Sequence, residues 1–183
     1  MRTFVAIELP DEVKRGISQV QEELKRAGGD AAWTRPEGIH LTLKFLGDVP
    51  DAKVPDILDA LAVARGAGRL RIEVAGAGAF PNVKAPRVLW LGLAGDIDRL
   101  SLLQKTVEEE MVRRGFEPED RKFAPHLTLA RIKYLRPRFS WQQAIEGMGG
   151  IHLGSFEVTA VSLMKSELQR TGAVYAEIGS VEL

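Results

Sequence analysis

Residues Ile39 to Gly47 read IHLTLKFLG, and the centre of this stretch returns at residues Ala124 to Ile132, which read APHLTLARI. The chain holds 3 histidines, and two of them open the same tetrapeptide, His-Leu-Thr-Leu. At average residue frequencies, a second identical tetrapeptide in a chain of this length has odds on the order of one in a thousand. The repeat therefore predicts two equivalent segments that serve one site.

Both copies have the pattern of a β-strand with one polar face. In a strand, residues i and i+2 point to the same side, so His40 shares a face with Thr42, and His126 shares a face with Thr128. The leucines between and after them lie on the opposite, apolar face. Two such strands beside each other would bring two imidazoles and two hydroxyls together across a cleft.

The composition is ordinary for a soluble globular protein. Lys and Arg number 25, as do Asp and Glu, so the net charge of zero argues against non-specific clamping onto long nucleic acids. The absence of Cys excludes disulfides, thiolate metal sites and thiol catalysis. No apolar run approaches the roughly 18 residues of a membrane span, and the first residues lack a secretory signal. We therefore expect one domain, residues 1–183, in the cytoplasm, with no membrane contact.

Strand-like and helical segments alternate along the chain, but several neighbouring strands are too close for crossover helices. This order predicts an α+β fold with mostly antiparallel sheet. The predicted strands are 3–9, 40–47, 69–80, 86–94, 126–132, 155–168 and 173–183, and the predicted helices are 11–27, 51–64, 96–114 and 140–147.

The polar inventory of the two strands suits the opening of a cyclic phosphodiester. Such a reaction needs a base for water and an acid for the leaving oxygen, and histidine serves either task near neutral pH. Two threonine hydroxyls can donate to the oxygens on which negative charge builds. For a single copy of the motif, the alternative interpretation is a chance occurrence on an amphipathic strand. For the two histidines together, the alternative interpretation is a metal site. The metal site lacks a third ligand, because His152 stands outside the motif and is interpreted as structural.

Several segments of the chain resemble a known family. These are RTFVAIELP at 2–10, HLTLKFLG at 40–47, PRVLWLGL at 86–93, FAPHLTLAR at 123–131 and LMKSELQRTGAVY at 163–175. The chain is similar to the two-histidine (2H) phosphoesterases, specifically the RNA 2′,3′-cyclic phosphodiesterases, once named 2′-5′ RNA ligases. The resemblance implies two pseudo-symmetric lobes, each an antiparallel sheet with helices outside, and an active-site cleft between them.

The resemblance also implies a reaction and roles for the motif residues. RNA or a nucleotide with a 2′,3′-cyclic phosphate end would be hydrolysed to a 2′-phosphomonoester without cofactor or metal. His40 would be the proton donor to the leaving 3′ oxygen and His126 the proton acceptor from water. Thr42 and Thr128 would hold the non-bridging phosphate oxygens. The reverse reaction, with a 5′-hydroxyl in place of water, would form a 2′-5′ RNA linkage.

Other readings stay open at this point. A 2H enzyme with another substrate, such as a cyclic ADP-ribose phosphate or a 2′-5′ oligoadenylate, would carry the same motifs. A non-catalytic module that binds RNA ends would use the same cleft without turnover. We expect a monomer, because one chain supplies both motifs.

Residues outside the motifs are candidates for RNA contacts. Lys44 follows Thr42 at the same-face spacing and is placed to attract phosphate, whereas strict alternation points Arg131 away from the cleft unless the strand ends or bulges there. Phe4 and Tyr175 are candidates for stacking a base, with core packing as the alternative for Phe4. The basic segment around Arg131 is either a solvated loop or a rim for the RNA backbone; its other members are Lys133, Arg136 and Arg138. The tryptophans, Trp33, Trp90 and Trp141, are interpreted as packing residues.

Overall fold

A computed structural model describes residues 1–135, 138–170 and 172–183. This part of the chain contains nine strands: β1 (Arg2–Glu8), β2 (Ala32–Trp33), β3 (His40–Asp48), β4 (Leu70–Phe80), β5 (Val88–Gly95), β6 (His126–Arg131), β7 (His152–Val158), β8 (Ala160–Gln169) and β9 (Gly172–Glu182). It also contains four α-helices: α1 (Asp11–Arg26), α2 (Val54–Leu61), α3 (Ile97–Arg113) and α4 (Trp141–Gly147). Short 3₁₀ segments lie at Pro36–Gly38, Asp51–Lys53 and Ala62–Ala67.

The strands form two antiparallel sheets. The first sheet has the order β3-β1-β8-β9, and the second has the order β2-β6-β5-β4-β7. Each sheet thus holds one motif strand, β3 in the first and β6 in the second. The predicted α+β fold with two antiparallel lobes is confirmed.

The chain builds its two lobes from two repeats that exchange strands. The first repeat runs β1, α1, β3, α2 and β4, and the second runs β5, α3, β6, α4 and β8. The last strand of each repeat joins the other sheet: β4 pairs with β5, and β8 pairs with β1. The lobes are therefore interleaved along the sequence.

The helices cover the faces of the sheets that point away from the cleft, and they too cross between repeats. Helix α1 packs against β7 of the second sheet, and α3 packs against β3 of the first. The predicted apolar faces of both helices are buried. The buried residues are Val13, Ile17, Val20 and Leu24 in α1, and Leu100, Leu103, Val107 and Met111 in α3. No helix in the described ranges is both long and apolar enough to span a membrane.

The prediction of one strand over 155–168 is wrong. The chain leaves the second sheet after Val158, and Ala160 begins a strand of the first sheet, so Thr159 is the crossing point. Val158 and Val161 are both buried, so the apolar pattern runs on through the crossing. Thr is a good strand residue and the segment lacks Gly or Pro there, so nothing in the local sequence signals the change of sheet.

Candidate active site

The first motif strand contains a β-bulge directly after Thr42. Val5 of β1 lies opposite Lys44 and Ala6 lies opposite Thr42, so Leu43 is one residue extra in β3. Leu43 and Lys44 are consequently both buried, although regular alternation would place Lys44 beside Thr42. The prediction that Lys44 shares the face of the first histidine is therefore wrong.

Lys44 instead points towards the helical side of the sheet. Its Nζ donates hydrogen bonds to Glu108 Oε1 at 2.8 Å and to the carbonyl oxygen of Glu117 at 2.8 Å. The lysine side chain is 2% exposed. A charge held in this way is not available to attract a phosphate into the cleft.

The second motif strand contains a bulge at the equivalent position. Trp90 of β5 lies opposite Thr128, and the residue before Trp90 lies opposite Ala130, so Leu129 is extra. Leu129 and Ala130 are both buried and Arg131 is exposed. The bulge returns Arg131 to the face of Thr128, which is the condition under which this arginine reaches the cleft.

Both histidines are oriented by the same backbone contact. The Nδ1 of His40 lies 2.8 Å from the carbonyl oxygen of Gly38, and the Nδ1 of His126 lies 2.7 Å from that of Ala124. A carbonyl oxygen only accepts, so Nδ1 carries the proton and donates in each ring. This leaves Nε2 of both imidazoles for proton transfer, with the two rings in the same tautomer.

The two sheets meet at the motif strands, since β3 and β6 contact each other. His40, Thr42, His126 and Thr128 are all half-buried. His40 and Thr42 thus lie on one of two strands that contact each other, and His126 and Thr128 lie on the other.

Aromatic rings surround His40. Phe4 stacks on its imidazole with a centroid distance of 4.6 Å, and Tyr175 meets it edge-on at 4.9 Å. Burial lowers the pKa of His40 below its ordinary value, although the hydrogen bond to the Gly38 carbonyl acts in the opposite direction. Phe4 is 2% exposed, so it packs against the histidine and is not free to stack a base. Tyr175 is partly exposed beside it.

His126 has a different set of aromatic neighbours. Phe80 meets it edge-on at 5.0 Å, and Trp90 lies 6.4 Å away. Trp90 lies over Gly78, where an added Cβ would come within 2.3 Å of the indole ring. The sequence carries no signal for Phe80, because its contact with His126 depends on the pairing of β4 with β5.

The remaining predicted residues lie apart from the motifs. The Nε2 of His152 is 3.4 Å from Glu73 on the exposed surface of the second sheet. Lys133 and Arg138 are exposed, and Arg136 lies outside the described residues. Within residues 1–135, 138–170 and 172–183, no group of three or more His, Cys, Asp or Glu side chains could hold a metal ion.

The profile of a family described as LigT like Phosphoesterase matches the chain twice in succession, over residues 7–90 and 91–175. The chain belongs to the LigT-like phosphoesterase family. The two matches of this LigT-like phosphoesterase divide the chain within β5, close to the boundary between its repeats. The family resemblance of the sequence, and its assignment to an enzyme, are confirmed.

Relatives of this LigT-like phosphoesterase cover nearly its whole length. A protein of Methanothermobacter thermautotrophicus named RNA 2′,3′-cyclic phosphodiesterase is 36% identical over 179 residues, which are 97% of this chain and 96% of the relative. A protein of the same name from Thermotoga maritima is 37% identical over 178 residues, 96% of this chain and 91% of the relative.

Two crystal structures share the fold of this LigT-like phosphoesterase. TT0787 of Thermus thermophilus has a TM-score of 0.81 and 29% identity, and the match covers 100% of this chain and 98% of that one. LigT of E. coli complexed with 3′-AMP has a TM-score of 0.76 and 26% identity over 100% of this chain and 97% of that one.

Proposed function

We propose that this LigT-like phosphoesterase hydrolyses RNA 2′,3′-cyclic phosphate ends to 2′-phosphomonoesters. The observation that carries the proposal is the matched pair of histidines, each donating from Nδ1 to a carbonyl two residues earlier. Two imidazoles in one tautomer, on strands that meet, supply a proton acceptor and a proton donor. The names of the relatives and the 3′-AMP complex of E. coli LigT support an RNA end as the substrate.

In the proposed mechanism, Nε2 of His126 takes a proton from the attacking water. The bond between phosphorus and the 3′ oxygen breaks as Nε2 of His40 donates a proton to that oxygen. The hydroxyls of Thr42 and Thr128 donate to the non-bridging oxygens, where negative charge increases in the transition state. No step of this mechanism uses a metal ion or a cofactor.

The lowered pKa of His40 is compatible with its role as the donor. Burial makes the imidazolium scarcer in the free enzyme, and once formed it is a stronger acid than an ordinary histidine. A bound cyclic phosphate carries a negative charge, which favours the protonated ring beside it. The assignment of the two roles rests on the family resemblance, and a thio-substituted substrate distinguishes it from the reverse.

Two outer residues complete the proposed substrate site. Arg131 is exposed on the motif face of β6, where its guanidinium suits the RNA phosphates. Tyr175 is partly exposed next to His40 and is placed to contact the terminal nucleotide. Phe4 acts through His40 by packing against its ring.

We further propose that residues 1–183 act as one domain and as a monomer, because one chain contains both motif strands and the lobes exchange strands. A cytoplasmic location suits an RNA substrate and a chain without Cys. Water is the abundant nucleophile, so hydrolysis dominates over the reverse 2′-5′ ligation.

The proposed reaction is tested with a short RNA ending in a 2′,3′-cyclic phosphate, in the presence of a chelator. Wild type is compared with His40→Ala and His126→Ala, and the phosphomonoester is identified. Formation of the 2′-phosphate by wild type alone supports the reaction and both histidines. Loss of the wild-type activity on adding the chelator would contradict the metal-independent mechanism. Binding of the RNA without conversion would favour the non-catalytic module, and neither binding nor conversion would favour another 2H substrate.

A substrate with sulfur in place of the bridging 3′ oxygen separates the roles of the histidines. A thiolate leaves without protonation, so this substrate restores activity only to the variant that lacks the general acid. We expect recovery in His40→Ala and not in His126→Ala. Recovery in His126→Ala alone would exchange the two assignments.

A further inference from the structure

A buried amide connects the two motif segments. Gln21 of α1 is 1% exposed, and its Nε2 donates to the carbonyl oxygens of Thr34 at 2.8 Å and Leu129 at 3.0 Å. Thr34 lies six residues before His40, on the segment that leads into the first motif strand. Leu129 is the bulge residue of the second motif strand. One side chain therefore joins the approach to one motif with the bulge of the other.

A carboxylate of α3 makes the corresponding connection between the first motif strand and the segment that leads into the second. Glu108 Oε1 of α3 accepts hydrogen bonds from Lys44 Nζ at 2.8 Å and from the backbone N–H of Glu119 at 2.9 Å. Lys44 follows the bulge of the first motif strand, and Glu119 lies seven residues before His126. Here too, a helical side chain joins the bulge of one motif strand with the segment that leads into the other.

Gln21 and Glu108 hold the same position in the two repeats. Each lies seven residues before the glycine that follows its helix, Gly28 in the first repeat and Gly115 in the second. Both glycines have positive φ, 103° and 87°, as helix-ending glycines commonly do. The equivalence in sequence thus agrees with the equivalence of the contacts.

The residue after each bulge matches the bridging side chain. Lys44 in the first motif strand neutralises Glu108, whereas its counterpart Ala130 has no charge and faces the side of the neutral Gln21. We call these two groups the motif bridges. Gln21 forms one bridge, and the pair of Glu108 and Lys44 forms the other.

The chemistry of the bridges argues for a geometric role. A buried ion pair contributes little to stability compared with well-packed apolar residues, because both charges are removed from water. Glu108 Oε2 is moreover buried and has no hydrogen-bond partner among the described residues, which carries a further free-energy cost. Polar contacts of this kind fix the position of specific backbone atoms, which apolar packing does less sharply.

We propose that the motif bridges are positioning residues that set the placement of His40 relative to His126. The inference rests on the proposed function for its kinetic readout. Each bridge contacts a residue in or next to a bulge, three or four residues after one histidine, and a residue six or seven positions before the other histidine. Loss of a bridge therefore moves the two imidazoles relative to each other without removing either.

The kinetic experiment compares Gln21→Met, Lys44→Ala and the double variant Lys44→Ala/Glu108→Gln, which gives the first strand the neutral bridge of the second. Arg99→Met is the matched control: Arg99 of α3 also joins two carbonyl oxygens, of Ala67 at 2.8 Å and Arg69 at 2.9 Å, but contacts neither motif strand. A misplaced group costs about tenfold or more in kcat. We expect that loss in the two single variants with little change in KM, partial recovery in the double variant, and an unchanged kcat in Arg99→Met.

A second readout does not depend on turnover. The 3 histidines of the chain give three separable imidazole signals by NMR, with His152 as an internal reference. Gln21→Met and the Lys44 variants are expected to shift the signals of His40 and His126, and Arg99→Met to leave them in place. Folded variants with wild-type kcat and unshifted signals would overturn the proposal. If wild type hydrolyses no cyclic phosphate, the proposed function fails and the NMR signals alone decide the positioning role.

Discussion

The two motif strands share their backbone and differ in what surrounds them. Each places a histidine whose Nδ1 donates to a carbonyl two residues earlier, and each bulges one residue after its threonine. Around His40 the neighbours are Phe4 and Tyr175, whereas around His126 they are Phe80 and Trp90. The orientation of the reactive groups thus comes from the repeated motif strands, and their environment comes from aromatic residues of the neighbouring strands, which differ between the two repeats.

In the proposed mechanism, this difference allows the histidines of two identical motifs to take different roles. Acid–base catalysis by two histidines requires one ring to be protonated while the other is neutral, and unlike surroundings separate their protonation. At His40, burial lowers the pKa below its ordinary value. A duplicated strand is therefore sufficient for orientation but not for the assignment of roles.

The largest effect is expected from removing either imidazole. His40→Ala and His126→Ala should each lower kcat by about 10²–10⁴-fold, because each abolishes one proton transfer. Steady-state kinetics on the cyclic phosphate measures this loss, with His152→Ala as the control. A variant of either motif histidine that keeps wild-type kcat would show that the two halves do not share the chemistry.

Substitution of the threonines tests whether both motif strands contact the phosphate of the substrate. Thr42→Val and Thr128→Val remove one hydroxyl donor each and should lower kcat by about a hundredfold, as loss of one oxyanion donor does. Thr→Ser at the same positions retains the hydroxyl and serves as the control. Loss in only one of the two valine variants would assign the phosphate contact to a single half.

The packing of Trp90 distinguishes the second half from the first. In Gly78→Ala the new Cβ would overlap the indole ring, so we expect unfolding in urea to require about 1–3 kcal/mol less free energy. Gly66→Ala is the control, since nothing lies within 4 Å of the Cβ added there. Equal stability of the two variants would show that Trp90 can move without cost.

The smallest effect concerns the protonation of His40. Phe4→Leu removes the stacked ring and should raise the pKa of His40 towards its ordinary value of about 6.5. Because the pKa is lowered in the folded protein, the associated stability is present above about pH 6.5 and is lost as the pH falls through the folded pKa. This loss should be smaller in Phe4→Leu.

NMR titration of the imidazole signals measures the His40 pKa directly, and Trp90→Leu, on the other half, is the comparison. If His40 is the proton donor, the basic limb of the pH–rate profile moves to higher pH in Phe4→Leu. An unchanged His40 pKa in that variant would show that the ring does not control its protonation.

The sequence alone predicts the structural features that repeat locally along the chain. It does not predict the features that depend on which strands pair and in which register. Both motif strands, the apolar faces of the helices and the α+β fold follow from periodicity and from the two tetrapeptides. The position of Lys44 does not, because the bulge at Leu43 is visible only in the register with β1. The contact of Phe80 with His126 and the bridge made by Gln21 join residues far apart in sequence, which one sequence cannot bring together.

The exchange of strands between repeats has a consequence for synthesis on the ribosome. β1 emerges first, but one of its two neighbours is β8, made more than 150 residues later. Until then the unpaired edge of β1 is open to association with other chains, and contacts so distant in sequence form slowly.

The first lobe cannot close around His40 before β8 and β9 have been made. A chain released early would therefore carry both motif strands and still lack a complete catalytic cleft. Catalytic activity is therefore expected only after β8 and β9 have been translated.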